Sequence, residues 1–219
     1  MGPLLSGAAL QRYTSSTVNI VFDGNSLVSG VGASTAAKYL PAQVAALAPL
    51  NGNIAVANTG VSGRAIDGMT TSADPAYVAG KKNILVVWEG TNTICNQTKT
   101  GVAAGIEMAG YCNYRLTAHP DWVIIQMTTL PRFGFLQTYS VAQANAELDA
   151  YNSYLAANYK SMGCKQLIDV RAAGIFTYTG TTVSTTMSPY MSDTTHCNDA
   201  GYALVAQYVA NTLRRLSSR

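Results

Sequence analysis

The stretch NIVFDGNSLVSG, residues 19–30, decides how the rest of the chain reads. Its apolar run Ile20-Val21-Phe22 lacks polar alternation, which suits a strand covered on both faces. The run stops at Asp23-Gly24-Asn25, three residues that favour a turn. Ser26 comes next, followed by Leu27-Val28. A serine hydroxyl therefore opens a helical turn at the carboxyl end of a buried strand, the end beyond which open α/β sheets bind ligands. Taken alone, Ser26 is an N-cap. With the right partners it is a nucleophile.

Four more runs resemble the first strand, 18–22: residues 54–57, 84–88, 122–127 and 167–170. They are short and rich in Val and Ile. Helical segments separate them at 36–47, 102–118, 141–162 and 199–216, and Gly163 is the expected stop of the third. Strand–helix alternation implies right-handed crossovers and a doubly wound α/β sandwich. The Thr-rich segment TYTGTTVSTT, residues 177–186, predicts a loop or short hairpin bordering a cleft.

Composition narrows the choices. With 219 residues and 48% hydrophobic content, the chain can bury one sizeable core. Charged residues make up 11%, against roughly 25% in an average soluble domain. The net charge of +3 comes partly from Arg214, Arg215 and Arg219 at the end of the last helix, where cations suit the dipole. No basic stripe marks a nucleic-acid partner. No run approaches the ~20 apolar residues of a membrane span. The start, MGPLLSGAALQRY, lacks the charged opening and long apolar run of a signal peptide. Residues 1–17 are expected to form an N-terminal extension ahead of a catalytic domain at 18–219. Cys95, Cys112, Cys164 and Cys197 form no CxxC pair, so a zinc site is not expected. Two disulfides and four buried thiols both stay open.

The strand ends carry the chemistry. After the second strand stands Asn58-Thr59-Gly60-Val61-Ser62-Gly63, and after the third Glu89-Gly90-Thr91-Asn92. Ahead of the last helix stands Asp193-Thr194-Thr195-His196. With Ser26 they supply a nucleophile, a glycine N–H, a carboxamide, a base and a carboxylate to orient it. Acyl transfer through a tetrahedral oxyanion needs this set. Each residue has a plainer role as a cap, turn or surface group, but all the plainer roles would have to hold together. His119 enters a strand from the wrong rim and is expected to be structural. Asp23 beside the nucleophile is expected to hold its loop rather than a metal. Trp88, Tyr178 and Tyr190 are candidates for lining a sugar or acyl pocket, or for packing.

The four blocks DGNSL, NTGVSG, EGTN and DTTH resemble those of the SGNH (GDSL-type) hydrolases, in the family's order, over residues 23–196. The resemblance implies a single-domain three-layer α/β/α sandwich whose five-stranded parallel sheet has flavodoxin-like order. It implies Ser26 as nucleophile and Asp193 and His196 as the rest of a triad. The oxyanion donors would be the Ser26 N–H, Gly63 and Asn92, with no metal and no cofactor. The expected function is a serine esterase for short acyl groups, acetyl foremost, on a carbohydrate. The alternatives are a lipase or thioesterase for longer chains and an inactive carbohydrate-binding module. A small-molecule ester or acetylated glycan is the expected partner, in an extracellular or phage-virion setting. One residue departs from the family: its usual aspartate before the serine is Asn25 here.

Overall fold

The computed structural model describes residues 18–47, 54–70, 72 and 74–217. The extension expected over 1–17 and the terminal Arg219 lie outside the described residues. Strands β1 (Val18–Gly24), β2 (Ala55–Asn58), β3 (Lys82–Trp88), β4 (Val123–Met127) and β5 (Gln166–Ile168) form one parallel sheet in the order β2-β1-β3-β4-β5. This is the flavodoxin-like order. Phe22 of β1 lies opposite Asn58 of β2 on one side and Val86 of β3 on the other. The carboxyl ends of these three strands thus reach the same edge.

Helices cover both faces. They are α1 (Ser26–Ser29), α2 (Leu40–Ala46), α3 (Thr91–Cys95), α4 (Gly101–Ala118), α5 (Val141–Asn158) and α6 (Asp199–Ser217). Strand residues alternate between the two layers. Ile20, Phe22, Val86 and Ile125 pack with Leu40 and Val44 of α2 and Val205 and Val209 of α6. Val21, Leu85, Val87 and Ile124 pack with Met108 of α4 and Leu148 and Leu155 of α5. The unbroken apolar runs follow from this, since neither face of the central strands meets water. Ser140 and Gln143 close the start of α5 with a reciprocal capping box.

Local chemistry moves several expected boundaries. The helix expected over 36–47 splits into a 3₁₀ turn, Ala36–Lys38, and α2, with Tyr39 extended between them. Pro41 sits in the first turn of α2, where its missing N–H costs nothing. β5 stops at Ile168, short of residue 170. Asp169 accepts from the Arg171 N–H, and the Val170 N–H turns to the Thr128 hydroxyl. The chain leaves α5 at Asn158 and runs through turns to Gly163, whose φ of +82° is the left-handed stop. The Thr-rich segment forms the hairpin β6 (Tyr178–Thr179) and β7 (Thr182–Val183). All four cysteines are buried free thiols, with Cys112 Sγ and Cys164 Sγ 3.7 Å apart.

Two glycines of α4 make opposite predictions. A Cβ on Gly101 would overlap the Glu147 carbonyl oxygen and crowd the Tyr151 nitrogen, both α5 backbone that cannot step aside. Gly101→Ala should destabilise the fold by about 1–3 kcal/mol. A Cβ on Gly110 meets no atom within 4 Å. Gly110→Ala should stabilise by about 0.5–1 kcal/mol. Urea denaturation of the two variants checks both signs.

Candidate active site

The first strand ends in a loop built around two side chains. The Asn25 Oδ1 accepts from the Leu27 N–H at 2.8 Å, so Asn25 is the N-cap of α1. Ser26 is thereby released from the capping role that any serine after a strand suggests. Its hydroxyl, in a residue only 5% exposed, lies 2.9 Å from the His196 Nε2. The other ring nitrogen, Nδ1, lies 2.7 Å from the Asp193 Oδ2. The second carboxylate oxygen accepts from the backbone N–H groups of Thr195 at 2.6 Å and His196 at 2.7 Å. One carboxylate therefore shapes the loop and orients the ring that the loop carries. Partial burial alone would raise the Asp193 carboxyl. The imidazole and the two backbone N–H groups outweigh that and hold it below the usual carboxylate range.

The second and third blocks meet beside Ser26's strand. Gly63 has φ +78°, and the space where a Cβ would stand is open. The next residue, Arg64, accepts through its carbonyl from the Asn92 Nδ2 at 3.1 Å. The Asn92 Oδ1 accepts from Arg132 Nη1 at 2.9 Å and Asn96 Nδ2 at 3.2 Å. These partners fix which end of the amide is the donor. Arg132 is buried and also donates to the Gly134 and Phe135 carbonyls and to Asn96. It thus ties Asn92 to the loop after β4. That loop is bonded in turn to the histidine loop, with the Phe133 N–H donating to the Thr194 carbonyl at 2.9 Å. Phe135 is 67% exposed, has φ +54°, and places its ring centroid 6.2 Å from that of His196.

Two buried carboxylates support these loops. Asp23 accepts from the Gly24 N–H at 3.1 Å, Thr59 at 2.9 Å, Ser72 at 2.8 Å, Tyr111 at 2.6 Å, and the Arg64 guanidinium. Glu89 accepts from the backbone N–H groups of Asn92 at 3.1 Å and Thr93 at 2.9 Å, and from the Asn25 amide. Burial raises the Glu89 carboxyl above the usual range, against the pull of the Thr93, Gly90 and Asn92 N–H groups and the Asn25 amide.

Ser26, Asp193 and His196 thus converge, as do Gly63 and Asn92 through Arg64. Asp23 holds its loop, as expected. His119 stacks on Tyr77 at 3.8 Å, away from this edge. Trp88 is buried and donates to the Thr128 carbonyl at 3.0 Å, so it is a core residue. Tyr178 donates to Asp149, and Tyr190 packs edge-on against Phe176. Arg132, Arg64 and the role of Glu89 escaped the sequence reading. Applying the strand-end rule to the fourth strand as well would have found Pro131-Arg132-Phe133-Gly134-Phe135. Among the described residues, no group of three or more His, Cys, Asp or Glu side chains could hold a metal ion. No helix there is long and apolar enough to cross a membrane.

Residues 22–204 match the GDSL-like lipase/acylhydrolase family. The chain belongs to this family and is a carboxylic ester hydrolase. No curated protein sequence matches it. Among solved structures, it is similar to a carbohydrate acetylesterase from Sinorhizobium meliloti, with a TM-score of 0.69 at 12% identity, covering 90% of this chain and 99% of that one. A family 3 carbohydrate esterase from Talaromyces cellulolyticus gives 0.67 at 16% identity, covering 92% and 98%. The aryl esterase of M. smegmatis gives 0.66 at 14% identity, covering 90% and 99%. At these identities the likeness shows a shared fold.

The Asp23–Arg64 pair generates a prediction. Arg64→Met leaves the Asp23 carboxylate buried without its cation and should destabilise by about 3 kcal/mol. A urea unfolding curve measures the loss.

Proposed function

We propose that this hydrolase is a serine esterase that removes short acyl groups, acetyl foremost, from a carbohydrate. Ser26 is the nucleophile, His196 the base and Asp193 the acid that orients it. The observation that carries the reading is the pair of contacts made by one imidazole, 2.9 Å to the Ser26 hydroxyl and 2.7 Å to the Asp193 carboxylate.

The chemistry follows from these contacts. With Nδ1–H donated to Asp193, Nε2 has its lone pair free to accept the Ser26 proton. The serine oxygen attacks the ester carbonyl, and the carbonyl oxygen becomes an oxyanion. The N–H groups of Ser26 and Gly63 and the Asn92 Nδ2 are its donors. Arg64 takes one of the two Asn92 amide hydrogens, and the other serves the oxyanion. The tetrahedral intermediate collapses, the alcohol leaves with the proton held by His196, and an acyl–Ser26 ester remains. Water then attacks that ester while His196 takes its proton; the C–Oγ bond breaks as His196 returns that proton to Ser26, and the acid is released.

The Phe135 ring supports the choice of substrate. It offers an exposed apolar face with its centroid 6.2 Å from that of His196, the residue that hands the departing alcohol its proton. A sugar or aryl ring can stack there. Similar folds carry a carbohydrate acetylesterase, a carbohydrate esterase and an aryl esterase.

Four variants test the reading on p-nitrophenyl acetate and an acetylated oligosaccharide. Ser26→Ala should lose turnover with its fold intact, and a rate equal to wild type would refute the assignment. Asp193→Asn presents the wrong tautomer and should lower kcat by about 10³–10⁴-fold. Asn92→Ala should lower kcat by about 10²–10³-fold with little change in KM, because its contact strengthens only as charge develops. Phe135→Ala should raise KM for the oligosaccharide by about three- to tenfold and leave kcat near wild type. Faster hydrolysis of octanoyl than of acetyl esters would move the substrate class to longer acyl chains.

A further inference from the structure

We propose that Asn25 and Glu89 form one acid–amide unit that positions the nucleophile and the oxyanion amide together, and that the amide must stand at 25 because the carboxylate stands at 89. The proposal rests on the roles given above to Ser26 and Asn92.

The hydrogen bonds leave no freedom in the assignment. Asn25 is fully buried, and Glu89 is 1% exposed. One Glu89 oxygen, Oε1, accepts from the Asn92 N–H at 3.1 Å, the Thr93 N–H at 2.9 Å and the Thr93 hydroxyl at 3.2 Å. The Thr93 hydroxyl in turn accepts from the Ile66 N–H at 2.9 Å, two residues beyond Arg64. The second oxygen, Oε2, accepts from the Asn25 Nδ2. The remaining Asn25 oxygen is occupied by the Leu27 N–H. Glu89 therefore gathers donors from the turn that holds Ser26 and the turn that holds Asn92, and the Thr93 hydroxyl links it to the loop that follows Gly63. Every group facing it is a donor, so it serves as an acceptor on both oxygens.

An aspartate at 25 would place two carboxylates at hydrogen-bond distance with no proton between them, which forces one to bind a proton or the loop to open. Here the resident acid is Glu89, so the neighbour must bring an N–H. A glutamine at 89 fails for the mirror reason. Its single oxygen cannot serve both the α3 N–H groups and Asn25, so one donor faces another. Making both changes repairs both faults. The new amide at 89 gives its oxygen to Asn92 and Thr93 and its N–H to position 25. The new carboxylate at 25 accepts that N–H with one oxygen and the Leu27 N–H with the other. Every donor keeps a partner, with the direction across the pair reversed; only the longer contact of the Asn92 N–H to Oε2, at 3.4 Å, is given up.

The test is a double-mutant cycle on Asn25→Asp, Glu89→Gln and the two combined, read in kcat and KM for p-nitrophenyl acetate and in melting temperature. Each single variant should lose about 10²-fold in kcat, as misplaced reacting groups do. KM should move by less than about threefold in each. The double variant should exceed both single variants in melting temperature and in kcat. A residue that merely fills space would give additive losses. A double variant no better than the better single variant overturns the proposal, including where a single variant fails to fold, and so do single variants that match wild type. The melting cycle is repeated in the Ser26→Ala background. A wrong nucleophile assignment leaves that coupling intact, whereas a wrong pair abolishes it.

Discussion

The hydrogen bond between Ser26 and His196 joins points 170 residues apart in the chain, and the rest of the architecture serves to keep it. The serine end is fixed by β1, a central strand held on both sides by parallel partners. The histidine end belongs to a loop, so it needs other restraints. The Ser192 N–H donates to the His196 carbonyl at 2.9 Å, and Met191 bridges Cys197. Cys197 is buried in the core, and Asn198 accepts from Gly201 at the start of α6. The imidazole thus stands between a tight turn and the first turn of a helix packed on the sheet. Asp193 closes the turn from the other side. A mobile loop carrying the same residues would populate this geometry only part of the time, and rate depends on that fraction.

The chain has few charges, and it places several of them where they are expensive. Asp23, Glu89, Arg115 and Arg132 are all buried. Replacing a whole buried ion pair by well-packed apolar groups often stabilises a protein, whereas removing one partner alone is costly, so bulk stability is a poor reason for keeping these. Their partners suggest a better one. Glu89 collects backbone N–H groups from the turn beyond β3, Asp23 collects hydroxyls and the Arg64 guanidinium from the segments around the end of β1, and Arg132 collects carbonyls and carboxamide oxygens. Turns beyond strands have no ladder to satisfy their backbone groups. A side-chain charge can serve several such groups at once and fix their directions. The edge that carries the candidate site is therefore held by ions, while the layers beneath it are held by aliphatic packing.

The sequence disclosed the layers and the site edge because both depend on local signals. Uninterrupted apolar runs mark β1 and β3 as covered on both faces, and a polar turn after each marks the edge. Ser26 and Asn92 stand at those ends, Gly63 stands in the loop after β2, and Asp193 and His196 share one turn. What stayed hidden is long-range. Nothing near Glu89 in sequence announces that its partner is Asn25, 64 residues away. Nor does anything near Arg132 announce Asn92. The N-cap shows the same limit. Ser26 and Asn25 both suit that position, and only the commitment of the Asn25 oxygen to the Leu27 N–H decides between them. Composition favours a continuous helix over 36–47, whereas Pro41 sets a start that composition does not weigh.

Phe135 carries the synthesis one step further. Among the described residues, only Phe135 and Thr98 adopt positive φ without being glycine. For an L-residue that conformation costs about 1–2 kcal/mol. Burial does not offset the cost, since the ring is largely exposed. Arg132 does, by holding the carbonyls of both Gly134 and Phe135 on one guanidinium. The same guanidinium holds the Asn92 oxygen. A strained backbone that displays an apolar ring to water agrees with the contact role proposed for Phe135. Because one cation fixes both features, the Phe135 ring and the Asn92 amide keep a constant separation. Under the proposed function, a ring bound there contributes affinity shared by ground and transition states, which is why its loss is read in KM rather than kcat.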